Sequence, residues 1–147
     1  QMEEGDLFLL NLPTDSIKCF GMGAVNILDT TPFPIPHKYI LDVEEQAIIR
    51  DHIISYNMTI AEVATNYDLA LVNANQIMHD FSSGMVFDGI KFNLSYIQGG
   101  LFSLDGVHLN PQGSAILANY VIDAINSKYN ASVPHALITE YPSIIFP

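Results

Sequence analysis

The longest periodic stretch of the chain constrains its fold more than any other feature. Asp42 is followed three residues later by Glu45, which is the spacing of a capping box at the positive end of a helix. Behind this start, apolar residues recur at alternating steps of four and three, which places them on one helix face. They are Ile49, Ile53, Tyr56, Ile60, Val63 and Tyr67. The pattern predicts a helix from about Val43 to Asn66 with one apolar stripe.

Short elements follow this helix. The apolar run "LALV" at residues 69–72 has the length of a buried parallel strand, and residues 74–84 indicate a short helix that ends at Gly84. Two alternating runs joined by Asp88 and Gly89 predict a hairpin, because this pair tolerates the positive φ angles of a type I′ turn.

A second strong helix is predicted after a glycine-rich loop. Asn110 is suited to the N-cap and Pro111 to the first helical position. The helix is expected to fray near Tyr129. Its predicted apolar face consists of Leu117, Tyr120, Val121 and Ala124, with Ile125 at the edge.

The order of these elements predicts an α/β fold with few central strands, two long helices and a small hairpin. Residues 1–41 are expected to be extended or irregular, because three prolines fall within residues 32–36, and the apolar run at residues 6–13 is expected to be a buried strand or an extended segment. Residues 42–134 form the predicted core, and residues 135–147 form an apolar tail that lies against the surface. Since an α/β sheet usually has four or more strands, residues 1–147 are interpreted as part of a larger fold.

Composition excludes several classes of partner. The net charge is −11, from five Lys and Arg against sixteen Asp and Glu, so phosphate backbones and anionic membrane surfaces would be repelled. Cys19 is the only cysteine, which forbids an internal disulfide and a cysteine-based zinc site. No apolar run reaches the roughly 20 residues of a membrane span. The acidic opening "QMEEGD" does not resemble a signal peptide, and a Gln before the Met suggests a trimmed chain.

The chemistry-bearing pattern is Asp105 and His108, three residues apart in the loop before the second strong helix. A carboxylate that accepts a hydrogen bond from one imidazole nitrogen leaves the other nitrogen able to take a proton, and it stabilises the imidazolium that results. The same spacing also occurs where an Asp braces a loop and a His has no reactive role. The pair is therefore a candidate acid and base of a hydrolytic site.

The surrounding sequence, "SLDGVHLNPQGSAILANYVIDAIN", resembles the last block of the SGNH, or GDSL-like, lipase and acylhydrolase family. The resemblance extends over roughly residues 39–134. It implies a three-layer α/β/α, flavodoxin-like fold with a parallel sheet, in which Asp105 is the acid and His108 the base of a Ser-His-Asp triad. It also implies acyl-ester or lipid substrates, no cofactor, and export to the bacterial cell envelope, the periplasm or the extracellular space.

The nucleophile of such a triad is missing from the expected motifs. The family's serine lies in a G-D-S-L block, whereas here Gly5 and Asp6 are followed by Leu7, and Ser16 lacks the preceding glycine. No G-x-N-D block for an oxyanion hole follows Ser16. The sequence is therefore interpreted as the C-terminal part of a serine carboxylic-ester hydrolase whose serine lies upstream, so that the chain alone is expected to be inactive.

Two alternatives remain open. The region could instead be a non-catalytic interaction or assembly module with a structural Asp-His pair. Five apolar residues near His108 are either an acyl-binding wall or core: Phe87, Phe92, Tyr96, Leu101 and Phe102. His37, His52, His79 and His135 share no ligand spacing, so surface or packing roles are expected and no metal is implied. The isolated chain is expected to self-associate through an exposed sheet edge.

Overall fold

The computed structural model describes residues 3–25, 30–95 and 98–143 of the chain. It is a mixed α/β structure in which the described strands form two small antiparallel sheets. The chain divides into two compact units, residues 1–60 and 61–147. The predicted α/β class is confirmed at this level. Tyr96 and the last four residues of the predicted tail, 144–147, lie outside the described residues.

The first unit is built around a minimal sheet. Strand β1 (Leu7–Phe8) pairs antiparallel with strand β2 (Ile40–Leu41), which follows a 3-10 turn at His37–Tyr39. The Gln46 side chain donates hydrogen bonds to the carbonyl oxygens of Gly5 and Leu41, both at 2.9 Å, and so links the two ends of this unit. Met22 is the only fully buried hydrophobic residue among those described in residues 3–60.

Two expectations for residues 1–41 need correction. The predicted strand within residues 6–13 is limited to Leu7–Phe8, and both of its side chains are exposed rather than buried. The predicted irregular segment contains a short helix, α1 (Thr14–Phe20), that ends where Gly21 adopts a left-handed backbone with φ of 69°. Seven residues make barely two turns, which is too short for an apolar period to be recognised in the sequence.

The long helix α2 (Val43–Asn66) has the predicted bounds. Its capping box is also confirmed: the Glu45 N–H donates to Asp42 Oδ1 (2.8 Å), and the Asp42 N–H donates to Glu45 Oε2 (3.2 Å). However, only Ala64 of this helix is buried. The predicted stripe is exposed, and apolar residues also occur on other sides of the helix. A helix with this distribution needs cover on more than one side.

The second unit contains the other main elements. Helix α3 (Ala74–Phe81) precedes a hairpin of strands β3 (Met85–Phe87) and β4 (Ile90–Phe92), and helix α4 (Pro111–Tyr129) follows the loop. The predicted hairpin is confirmed, with Phe87 paired to Ile90 across the turn. Asp88 and Gly89 have φ angles of 48° and 81°, the positive values that a type I′ turn requires.

The predicted strand at residues 69–72 is wrong for this structure. These residues form no β-ladder with any part of the chain that the structure describes; instead the Ala70 N–H donates to the Tyr129 hydroxyl (3.1 Å). A parallel strand requires a neighbouring strand on at least one edge, and β3 and β4 pair with each other. Val72 nevertheless packs against the hydrophobic core, whereas Leu69 and Leu71 are exposed.

The hydrophobic core of the second unit joins side chains from every element between α3 and the tail. Its buried members are Ile77, Phe81, Phe92, Leu101, Ala115, Ile116 and Ile138. Phe87 packs beside them, with ring centroids 5.8 Å from Phe81 and 6.2 Å from Tyr120. This core lies directly beneath the loop that carries Asp105 and His108, because Leu101 belongs to both.

Helix α4 buries a different face from the predicted one. The buried residues are Gln112, Gly113, Ala115 and Ile116, whereas Leu117 is half-buried and Val121 exposed. The difference arises because the backbone of Leu101 packs against the start of the helix at Gly113. Tyr120 is the predicted face residue that does pack on the core.

The tail after α4 lies along that helix, as predicted. Asn119 exchanges two hydrogen bonds with the backbone of Ala136 (2.8 and 2.9 Å), and Asn126 does the same with Val133 (2.8 and 2.9 Å). These two asparagines are seven residues apart, so they lie on one helix face. Ile138, in a 3-10 turn at Ile138–Glu140, then enters the core.

Among the residues described, no helix combines the length and apolarity that crossing a membrane requires.

The contact at Gly113 gives a test of this packing. In an exposed helix, replacing Gly by Ala stabilises by about 1 kcal/mol. Here we expect the opposite sign, a loss of about 1–3 kcal/mol for Gly113→Ala, because the added Cβ would overlap the Leu101 carbonyl oxygen. Denaturant unfolding measures the change, with Ser114→Ala, at the exposed next position, as the control that should not destabilise. Stabilisation by Gly113→Ala would contradict the described approach of the loop to α4.

Candidate active site

Asn110 fixes both ends of the loop that carries the Asp-His pair. Its side chain caps α4 by accepting from the Gly113 N–H (2.8 Å), and its Nδ2 donates to the Gly100 carbonyl (2.8 Å). Its backbone N–H donates to the Leu101 carbonyl (2.9 Å). Only 3% of this residue is exposed, so these bonds form in a nearly dry environment. One side chain therefore joins the start of the loop to the start of the helix.

Beyond Asn110 the two sides of the loop run antiparallel and close to each other. Phe102 and Leu109 form an isolated bridge, and the Ser103 N–H donates to the His108 carbonyl (2.7 Å). At the tip, the Gly106 N–H donates to the Ser103 carbonyl (3.0 Å), and Gly106 takes a φ of 71° that only glycine adopts without strain. The backbone thus brings Asp105 and His108 to the same end of the loop.

The two oxygens of Asp105 have different roles. Oδ1 accepts from the Ser103 hydroxyl (2.6 Å), the Val107 N–H (2.9 Å) and the His108 N–H (3.0 Å). Oδ2 lies 2.6 Å from Nδ1 of the His108 ring. The expected contact between Asp105 and His108 is confirmed, and three further donors hold the carboxylate that makes it.

These donors keep Asp105 ionised. The Ser103 hydroxyl lowers the pKa of the Asp105 carboxyl most, followed by the His108 ring and the two backbone N–H groups, and together they hold it far below its usual range. An ionised carboxylate can only accept, so His108 Nδ1 must carry the proton in their shared hydrogen bond. The remaining ring nitrogen, Nε2, is then the atom that can accept a proton when the ring is neutral.

His108 projects from the loop rather than into the core. Its side chain is 82% exposed and that of Asp105 is 50% exposed. A base on this surface is accessible to a reacting group, whereas a His packed into the core would not be. The arrangement can abstract a proton at Nε2 and stabilise the resulting imidazolium through Oδ2.

The other histidines help to define what is specific about this pair. His135 also contacts an aspartate, Asp123, at 2.7 Å, but through Nε2. His79 lies 3.8 Å from Asp80, beyond hydrogen-bond range. His52 stacks on Tyr56 at 6.1 Å between ring centroids. Of these, only His108 combines contact through Nδ1 with an aspartate that other donors also fix.

The structure also brings together a group that sequence spacing did not indicate. Ligand atoms of His37, Asp42 and Glu45 lie within 4.8 Å of one another. Asp42 and Glu45 form the capping box of α2, and His37 Nε2 lies 3.5 Å from Asp42 Oδ2, so the capping box and this His37–Asp42 contact together account for the proximity of the three residues. A cleft lined by His37 and Asp42 belongs to this first unit, whereas Asp105 and His108 belong to the second.

The residues considered for an acyl-binding wall belong mostly to the core. Phe92 and Leu101 are fully buried, and Phe87 and Phe102 are half-buried against the same cluster. Nearer to His108, the exposed apolar side chains are those of Leu104 and Val107. Neither residue is assigned a role from the sequence, although their positions on either side of Asp105 indicate that they lie near the Asp-His pair.

Sequence reasoning also missed Ser103. It belongs to no recognised motif, yet its hydroxyl contacts Asp105 directly. Its position two residues before Asp105 is the signal that was available. Ser16, the serine weighed as a nucleophile, lies in α1 of the first unit.

No family model, curated protein or solved structure matches the chain. The assignment of Asp105 and His108 as a candidate acid and base therefore rests on local geometry and on the resemblance of their sequence block.

The state of the Asp105 carboxyl can be measured by NMR. We expect its 13C signal to titrate with a midpoint below the ordinary 3.8. Because the pKa is lowered on folding, the carboxylate stabilises the loop fully above the unfolded-state value of about 3.9, and this stabilisation is lost as the pH falls through the folded-state value.

The variant His108→Ala provides the control for this titration. It removes one donor but keeps the Ser103 hydroxyl, the largest cause of the lowered pKa, so the midpoint should rise and still lie below 3.8. A wild-type midpoint at or above 3.8 would contradict the described hydrogen bonds.

Proposed function

We propose that this chain supplies the acid and the base of a serine carboxylic-ester hydrolase of the SGNH type. In this proposal His108 takes the proton of a serine hydroxyl as that serine attacks an acyl carbonyl, and Asp105 orients the His108 ring. The serine and the oxyanion-hole groups belong to a part of the protein upstream of this chain. The chain alone would then have little activity.

One observation carries the proposal. Asp105 Oδ2 contacts Nδ1 of His108 at 2.6 Å, on an exposed loop, while Oδ1 is held by three other donors. In a Ser-His-Asp triad the aspartate contacts Nδ1 so that Nε2 can face the nucleophile. The His135–Asp123 pair makes its contact through the opposite ring nitrogen, so a random surface pair need not have this orientation.

The surface of α2 supports the view that more protein packs around this chain. Several of its large apolar side chains are more than half exposed: Ile48, Ile54, Tyr56, Met58 and Ile60. A helix that is apolar on several sides is normally covered by other elements on those sides. In the proposed three-layer α/β/α domain, a parallel sheet contributed from outside the chain covers α2.

The substrate class follows from the proposed chemistry and the resemblance. Attack by a serine on an acyl carbonyl suits acyl esters, including lipid esters, and needs no cofactor. The net charge of −11 disfavours anionic polymers as substrates. The proposed location is the bacterial cell envelope, the periplasm or the extracellular space.

The proposal is tested in the complete protein with p-nitrophenyl acetate and butyrate. We expect His108→Ala to lower kcat at least about 1,000-fold, because the base of the triad is lost. The matched control is His135→Ala, which removes an exposed histidine with an equally close aspartate and should leave kcat unchanged.

Equal rates for wild type and His108→Ala would overturn the proposal. If both proteins were also inactive on the esters and His108→Ala were less stable than wild type, the Asp105–His108 pair would be a structural feature of an interaction module. Thermal unfolding of both variants distinguishes loss of the base from loss of the fold.

A further inference from the structure

We propose that Ser103 is a positioning residue that holds the Asp105 carboxylate in the orientation required by His108. The inference rests on the proposed function, since it adds a fourth residue to the same site. Ser103 is not placed as the nucleophile, because its hydroxyl donates to the carboxylate at 2.6 Å. It acts on the reaction only through Asp105 and His108.

The geometry gives Ser103 a role that the other donors do not have. The Val107 and His108 N–H groups follow Asp105 in the chain and reach Oδ1 from that side of the loop. Ser103 precedes Asp105, so its hydroxyl holds the same oxygen from the opposite strand. Because donors on both strands of the loop hold Oδ1, rotation of the carboxylate is restricted and Oδ2 remains directed at the imidazole.

The position of the hydroxyl is itself fixed by the backbone. Ser103 donates its N–H to the His108 carbonyl (2.7 Å) and accepts the Gly106 N–H at its own carbonyl (3.0 Å). Its backbone is thus tied both to the residue that carries the base and to the tip of the loop. The hydroxyl also causes the largest part of the lowered pKa of Asp105, which agrees with a short hydrogen bond to the ionised form.

The decisive variants are Ser103→Thr and Ser103→Val in the complete protein. The two side chains have nearly the same shape, but only threonine keeps the hydroxyl. We expect Ser103→Val and Ser103→Ala to lower kcat about tenfold with little change in KM, because a misoriented base slows proton transfer without changing ester binding. Ser103→Thr should keep kcat close to the wild-type value. Ser83→Ala, at an exposed serine whose hydroxyl donates to the Asp80 carbonyl, is the control and should have wild-type kinetics.

A second measurement does not depend on ester hydrolysis. The 15N signals of the His108 ring report which nitrogen carries the proton. In wild type and Ser103→Thr we expect the neutral ring to be protonated at Nδ1, whereas Ser103→Val and Ser103→Ala should show a mixture of both tautomers. The signals also show whether each variant is folded.

The outcomes separate this inference from the proposed function. If His108→Ala abolishes activity while Ser103→Val matches Ser103→Thr in kcat and ring signals, the role of Ser103 is refuted and the proposed function stands. If His108→Ala has no effect on hydrolysis, the proposed function fails, and the ring signals alone decide whether Ser103 orients the pair. A mixture of tautomers in Ser103→Val but not in Ser103→Thr supports the inference in either case.

Discussion

The hydrogen bonds of Asn110 are the constraint on which the candidate site depends. Its side chain caps α4 at Gly113 and binds the Gly100 carbonyl, while its backbone binds the Leu101 carbonyl. Because the residue is almost completely buried, losing any of these bonds would leave a desolvated polar group without a partner. Gly113 completes the arrangement, since only a residue without a Cβ allows the Leu101 backbone to lie so close. The loop and the helix are therefore a single packed unit.

From its buried end at Leu101 and Asn110 the loop becomes more exposed towards its tip. Its interactions change from packing in the core to hydrogen bonds between exposed groups. Leu101 packs in the core, Phe102 is half-buried, and Asp105 and His108 are exposed. An isolated surface Asp-His pair would contribute little and would sample many geometries. Here the carboxylate is held by several short hydrogen bonds from within the same loop, so its orientation does not depend on burial. The carboxylate is thus held in one orientation while the imidazole remains accessible to solvent.

Local signals predicted most of the second unit and failed where the outcome depends on distant partners. Asn110 followed by Pro111 predicted the start of α4, and Asp88-Gly89 predicted the hairpin turn, because capping and turn chemistry act over only a few residues. The run at residues 69–72 has the composition of a strand, but pairing needs a neighbour that composition cannot supply. The buried face of α4 was misassigned because the approach of Leu101 to Gly113 is a long-range contact. Ser103 was overlooked because its position two residues before Asp105 does not by itself show that its hydroxyl reaches the carboxylate.

The described donors to the Asp105 carboxylate all come from its own loop. This determines what the loop and the rest of the protein would each contribute to the proposed triad. All four donors to the Asp105 carboxylate among the described residues lie within residues 103–108, so the carboxylate and the imidazole are oriented by the loop itself, whose two ends Asn110 fixes. In the proposed α/β domain a serine and oxyanion-hole donors require, by contrast, backbone placed above a sheet edge, which this loop does not provide. The loop would therefore bring an oriented imidazole to the site, and the remainder of the domain would place the serine near His108 Nε2 and supply the oxyanion-hole donors. The accuracy of that placement, rather than the Asp-His geometry, would then limit catalysis.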